Sequence, residues 1–137
     1  MAAAMTLSAA DRMAILDVIT RADEAASRRD ADAYVALFTP DAVLDGTRGR
    51  HSGREAMRVS VGPIWAAEGP ATLHLTLNPV IGPGSSDDQA VVRSELLIID
   101  SAAPPAIRTA ALITQELRHA DGSWRINRRT VAAAGSQ

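Results

Sequence analysis

A chain of 137 residues has room for one domain with one buried core and a cavity inside it, and residues 1–137 are read as a single domain. A formal charge of −2 and a pI near 5.9 supply no basic field, which sets nucleic acid aside as a partner. The chain has no cysteine and all 14 of its basic residues are arginine, so disulfides, thiolate nucleophiles, cysteine metal sites and Schiff-base lysines are excluded.

The opening residues, MAAAMTLSAADR, lack the basic start and the roughly 7–15-residue apolar core of a secretion signal. No apolar run approaches the roughly 18 residues needed to cross a bilayer, so a soluble cytoplasmic protein with no membrane partner is expected. Ser8 and Asp11 stand at capping-box spacing before a helix whose apolar stripe is Met13, Leu16, Ile19, Ala22 and Ala26, running to about Arg29. Asp30 then caps a short helix with Tyr34, Leu37 and Phe38 on one face; Pro40 ends it, and Ala42, Val43 and Leu44 begin a strand. Thr47 to Gly53 reads as a polar loop. Ser52 and Glu55 open a third helix through Met57, Val61 and Trp65, which Pro63 is expected to kink or split.

From Thr72 the period changes to two: Thr72, His74, Thr76 and Asn78 alternate with Leu73, Leu75 and Leu77. Turns at Gly82–Asp88, Asp100–Ala106 and Ala120–Ser123 separate three further strands, over Ala90–Ile99, Ile107–His119 and Trp124–Val131. Helices followed by a run of antiparallel strands give an α+β layer arrangement, with the helices on one face of a curved sheet. Aromatic residues make up only 3% of the chain, which predicts a small or aliphatic pocket.

The wording DAYVALFTPDAVLDG, with GREAM at Gly53 to Met57 and GSWRINRR at Gly122 to Arg129, resembles the SnoaL-like group of the nuclear transport factor 2-like superfamily over roughly Ser8 to Val131. The resemblance implies a cone: three amino-terminal helices packed on a strongly curved, mostly antiparallel sheet that encloses a pocket. It implies pairing of two copies through the outer sheet face, where the Leu73, Leu75 and Leu77 stripe would otherwise lie exposed, so a homodimer is expected. This fold hosts many chemistries, and the reaction must be argued from the site.

His74 is the leading candidate, an imidazole that gains and loses a proton near neutral pH. In proteins similar to scytalone dehydratase a histidine at this place works with an aspartate of the first helix. Here that aspartate falls on Ser27, its neighbouring tyrosine on Ala26 and a second histidine on Ala110. Asp23, one turn before Ser27, is the candidate substitute. The ketosteroid isomerase pattern puts its base on Gly46, beside Asp45, and its two oxyanion donors on Ala22 and Thr114. The limonene epoxide hydrolase pattern, an Arg-x-Asp with a second aspartate, leaves a partial trace in Arg93 and Glu95, while its second aspartate falls on Arg129.

These readings give His74, Asp23 and Asp45 as catalytic candidates, and Ser27, Tyr34, Trp65, Asn78, Thr114 and Arg129 as groups that contact a small-molecule ligand. Arg128 or Arg129 could grip a carboxylate or phosphate, with Arg48, Arg50 and His51 as its rim. His51 and His119 fit no metal-ligand spacing, and neither metal nor cofactor is expected. The expected activity is cofactor-free dehydration, isomerisation or cyclisation of a small apolar or polyketide-like molecule. The alternatives are a binding domain without chemistry and a dimeric interaction module whose cavity is filled by side chains.

Overall fold

The computed structural model describes residues 7–133. Three helices, α1 (Ala9–Ser27), α2 (Ala31–Val35) and α3 (Arg54–Glu68), lie on a six-stranded sheet. Its strands are β1 (Phe38–Gly46), β2 (Gly49–Ser52), β3 (Thr72–Pro83), β4 (Gln89–Asp100), β5 (Ala106–Ala120) and β6 (Ser123–Ala133). The sheet order is β2-β1-β6-β5-β4-β3, antiparallel throughout except where β1 runs parallel to β6. The α+β cone implied by the resemblance is the architecture that forms.

The capping box at the start of α1 is complete: Ser8 Oγ accepts from the Asp11 N–H at 3.0 Å and Asp11 accepts from the Ser8 N–H at 3.3 Å. Asp11 also accepts from the Trp124 indole at 3.1 Å, fastening the helix start to β6. Past the C-cap Arg28, Arg29 takes φ of 59°, and two bonds close the helix end: the Arg29 N–H to Ala26 O and the Asp30 N–H to Ala25 O. The buried stripe is Ile15, Val18, Ile19, Ala22, Ala25 and Ala26, so Met13 and Leu16 are misplaced in the sequence reading and lie exposed.

Three other boundaries differ from expectation. The Asp30-capped helix stops at Val35, and Phe38 already belongs to β1, which carries Pro40 beside its register shift. Residues 49–52 of the expected polar loop form β2, a hairpin closed over Thr47 and Arg48 and permitted by Gly49 at φ of 115°. Gly53, not Ser52, caps α3, and no side-chain bond closes that cap. The helix runs unbroken through Pro63, because Pro63 and Val59 both lie on its exposed side, where the carbonyl deprived of its partner reaches water.

The main core is packed between helices and sheet by Ile15, Ile19, Ala22, Phe38, Met57, Trp65, Val92, Leu117 and Ile126. Two irregularities decide what faces the cone. In β3 the register shifts between Leu77 and Val80, Asn78 takes φ of 54°, and the inward face of Thr72, His74 and Thr76 stops there. In β6 the register passes from Ile126 to Arg128, leaving Asn127 as the extra residue; the inward series therefore runs Trp124, Ile126, Arg129. Asn127 fills its own bulge by donating to Thr39 Oγ1 at 3.0 Å.

Candidate functional site

The cone holds an open cavity of about 260 Å³. Its walls come from every layer: Ala26 of α1, Tyr34 of α2, Val61, Ile64, Trp65 and Glu68 of α3, His74 of β3, Leu96 and Ile98 of β4, Thr109 of β5 and Arg129 of β6. The β1–β2 hairpin, including Arg48 and His51, forms its rim. An open cavity overturns the expectation of a module with a side-chain-filled cone.

His74 faces inward, 6% exposed, and its Nε2 lies 2.8 Å from Glu68 Oε1. A carboxylate only accepts, so the bond places a proton on Nε2 and leaves Nδ1 as the nitrogen able to take another. Glu68 is the last residue of α3; Gly69, at φ of 86°, turns the chain there, and Thr72 Oγ1 donates to the Glu68 carbonyl at 2.8 Å. Three residues earlier, Trp65 sets its ring edge-on to His74, with centroids 6.0 Å apart. The imidazole is thus held by a carboxylate and an indole from one helix end.

Asp23 does not orient the imidazole. It accepts from Thr76 N–H at 2.7 Å and Thr76 Oγ1 at 2.9 Å, tying α1 to β3, and burial pushes its carboxyl pKa up against the opposing pull of Arg129 and of those bonds. Ser27 sits behind the histidine: its Oγ accepts from the His74 N–H at 2.8 Å and does not line the cavity. Asp45 lies away from His74, paired with Arg128 at 3.2 Å, the arginine that the β6 bulge turns away from the cone. Thr114 alternates with the buried Ile113 and Gln115 and faces the other side of the sheet. Asn78 is carried outward by the β3 bulge and is exposed. Arg93 and Glu95 likewise occupy the outer face of β4.

Tyr34, Trp65 and Arg129 do line the cavity. The Tyr34 and Trp65 rings meet edge-on at 4.9 Å, and Phe38 packs against Tyr34 at 4.9 Å. Three of the chain's four aromatic residues are gathered at this wall, which low aromatic content had concealed. Burial also pushes the Tyr34 phenol pKa up, keeping it a neutral donor. Arg129 is 5% exposed; its guanidinium lies 5.8 Å from the Tyr34 ring centre and donates to Gln115 Oε1 at 3.4 Å.

The residue missed by sequence reasoning is Glu68. Its signal is a carboxylate at the end of a helix, six residues before His74 across a short glycine-containing turn. Among the described residues no three His, Asp or Glu side chains converge to hold a metal ion. No described helix is long and apolar enough to cross a membrane.

The family model for the SnoaL-like domain matches residues 8–130. A cystatin-like-fold protein of unknown function from Nostoc punctiforme superposes with a TM-score of 0.85 at 23% identity, covering 96% of this chain and 97% of the other. A candidate scytalone dehydratase from Novosphingobium aromaticivorans gives 0.77 at 21% identity over 93% and 95% of the two chains. The protein LinA gives 0.76 at 19% identity over 93% and 92%. No curated protein matches the sequence.

Proposed function

The chain belongs to the SnoaL-like domain family, and from that premise we propose that it is a cofactor-independent enzyme moving a proton on a small molecule held in the cone. The reaction class is dehydration, isomerisation or cyclisation. One observation carries the reading: the His74–Glu68 pair, joined at 2.8 Å on the wall of an open cavity.

In this scheme His74 Nδ1 takes a proton from a carbon next to a carbonyl, and Glu68 stabilises the imidazolium that results. The same nitrogen then returns the proton, to another carbon for isomerisation or to a departing hydroxyl, which leaves as water. The neutral Tyr34 phenol stabilises negative charge as it develops. Tyr34 and Trp65 hold the molecule against the imidazole.

The test is deuterium exchange of small cyclic ketones in D2O, followed by proton NMR. Removing a positioned acid/base costs about 10²–10⁴ in rate, so His74→Gln should abolish catalysed exchange and Glu68→Gln should reduce it with ketone binding retained. Exchange unaffected by His74→Gln would refute the assignment. A binding domain without chemistry is the second reading, favoured by Ser27 and Ala110 where the dehydratase pattern has acid and base. It predicts ketone binding to wild type with no exchange.

We propose further that two copies pair through the outer sheet face. Leu73, Leu77, Val80, Ile107 and Leu112 are exposed there, and Arg93 and Glu95 lie among them, so a two-fold partner would set each arginine against the other copy's glutamate.

A further inference from the structure

We infer that the ligand of this cavity carries one carboxylate, bound by the guanidinium of Arg129, on a ring or similarly compact apolar body that lies along the Tyr34–Trp65 wall. This deepens the reading of the cone as a small-molecule site and rests on it.

Arg129 is the most buried ion of the described chain, and no carboxylate lies within 4.0 Å of it. Three partly covered arginines are committed. Arg54 gives two bonds to the Phe38 carbonyl, at 3.0 and 2.6 Å; Arg118 is paired with Asp41 and Arg128 with Asp45. Arg129 has a single long bond, 3.4 Å, to Gln115 Oε1. Gln115 is itself fully buried, with Nε2 unpartnered, so it braces the guanidinium and supplies no charge. A desolvated cation without a counterion is costly, and here one side of it opens onto the cavity.

The surroundings select an anion of this kind. Asp23, whose field reaches Arg129, spends its oxygens on Thr76, and its burial disfavours the charged form. Arg48 and His51 stand on the rim, while the acid on the wall, Glu68, is committed to His74. The cavity is therefore biased positive in a chain whose formal charge is −2. One guanidinium fork matches one planar carboxylate, whereas a phosphate dianion would meet a single fork and share the cavity with the Glu68 carboxylate.

Geometry links this subsite to the acid/base. Arg129 lies over Tyr34, Tyr34 meets Trp65, and Trp65 meets His74, at 5.8, 4.9 and 6.0 Å in turn. A flat body lying along these rings has its carboxylate on Arg129 and its far side toward the imidazole.

Equilibrium binding of matched inert probes, benzoate against benzamide and cyclohexanecarboxylate against its amide, tests the inference by NMR titration of the whole chain. Charged hydrogen bonds contribute about 1.5–3 kcal/mol, so each acid should bind wild type at least about tenfold more tightly than its amide. Arg129→Gln should erase that preference, weakening acid binding by at least about tenfold and amide binding by less. Acid and amide binding alike in wild type, or neither binding, would overturn the proposal without any variant. So would a preference that survives in folded Arg129→Gln, or in Arg129→Met should the glutamine variant not fold. Because the probes do not react, this result is independent of ketone exchange: anion preference without exchange would remove the acid/base reading and keep the subsite.

Discussion

Replacing Asp23 with alanine removes the acceptor of two bonds from Thr76, at 2.7 Å from its N–H and 2.9 Å from its hydroxyl, which fasten α1 to β3. An amide N–H left unpaired in a part-buried position costs about 1–3 kcal/mol, so Asp23→Ala should lose about that much unfolding free energy. Asparagine keeps an oxygen for the N–H, and the Thr76 hydroxyl can rotate to accept from its amide; what it deletes is the charge. Burial is the leading influence on Asp23 and raises its pKa in the folded chain. For an acid shifted upward, the stability it contributes is full below the unfolded value, about 3.9, and is lost as pH climbs through the folded value. Asp23→Asn has no such loss. Its unfolding free energy should therefore exceed that of the wild type at about pH 7, with the excess shrinking toward about pH 4. Urea unfolding followed by tryptophan fluorescence reads all three chains across this range. An alanine variant as stable as wild type, or an asparagine variant that falls behind as pH rises, would refute the structural role assigned to Asp23.

Two further outcomes follow from the same geometry. Ser27→Ala strips the partner from the His74 N–H, so stability should fall by about 1–2 kcal/mol and the His74 amide should exchange with solvent faster, a change that amide exchange by NMR would reveal or exclude. On the outer face, Val80→Asp should weaken self-association by at least about tenfold in sedimentation equilibrium while leaving benzoate binding intact; an unchanged dimer, or a wild type monomeric throughout, would discard that face as the contact.

Much of this architecture is written in local pattern. The alternation of Thr72, His74 and Thr76 with leucines placed the imidazole on the inner face, and Ser8 with Asp11 fixed the start of α1. Register defeated the same logic one step further on. Extrapolating period two from His74 brings Asn78 into the cone, and extrapolating from Trp124 and Ile126 brings in Arg128; one bulge in each strand reverses both. A bulge is a property of two paired strands, so neither strand's own residues announce it, although Asn127 is suited to fill one. The exchange at β6 has chemical consequences: Arg128 goes outside, where Asp45 pairs with it, and Arg129 goes inside, where no described acid lies within 4.0 Å.

The missing aspartate at Ser27 carries the same lesson in the other direction. Residue spacing offers Asp23 on the first helix and Asp45 on β1 as substitutes, the elements where family patterns carry such a group. His74 can, however, be approached from either side of the cone. From α1, Ser27 reaches only its backbone, while from α3 the helix end delivers Glu68 to Nε2. The contact depends on the angle at which Gly69 returns the chain to Thr72, a tertiary feature that residue spacing does not encode. The family's orienting carboxylate can therefore be absent from its usual position while the physical requirement for one, an acceptor that fixes the imidazole's tautomer, is met from another helix.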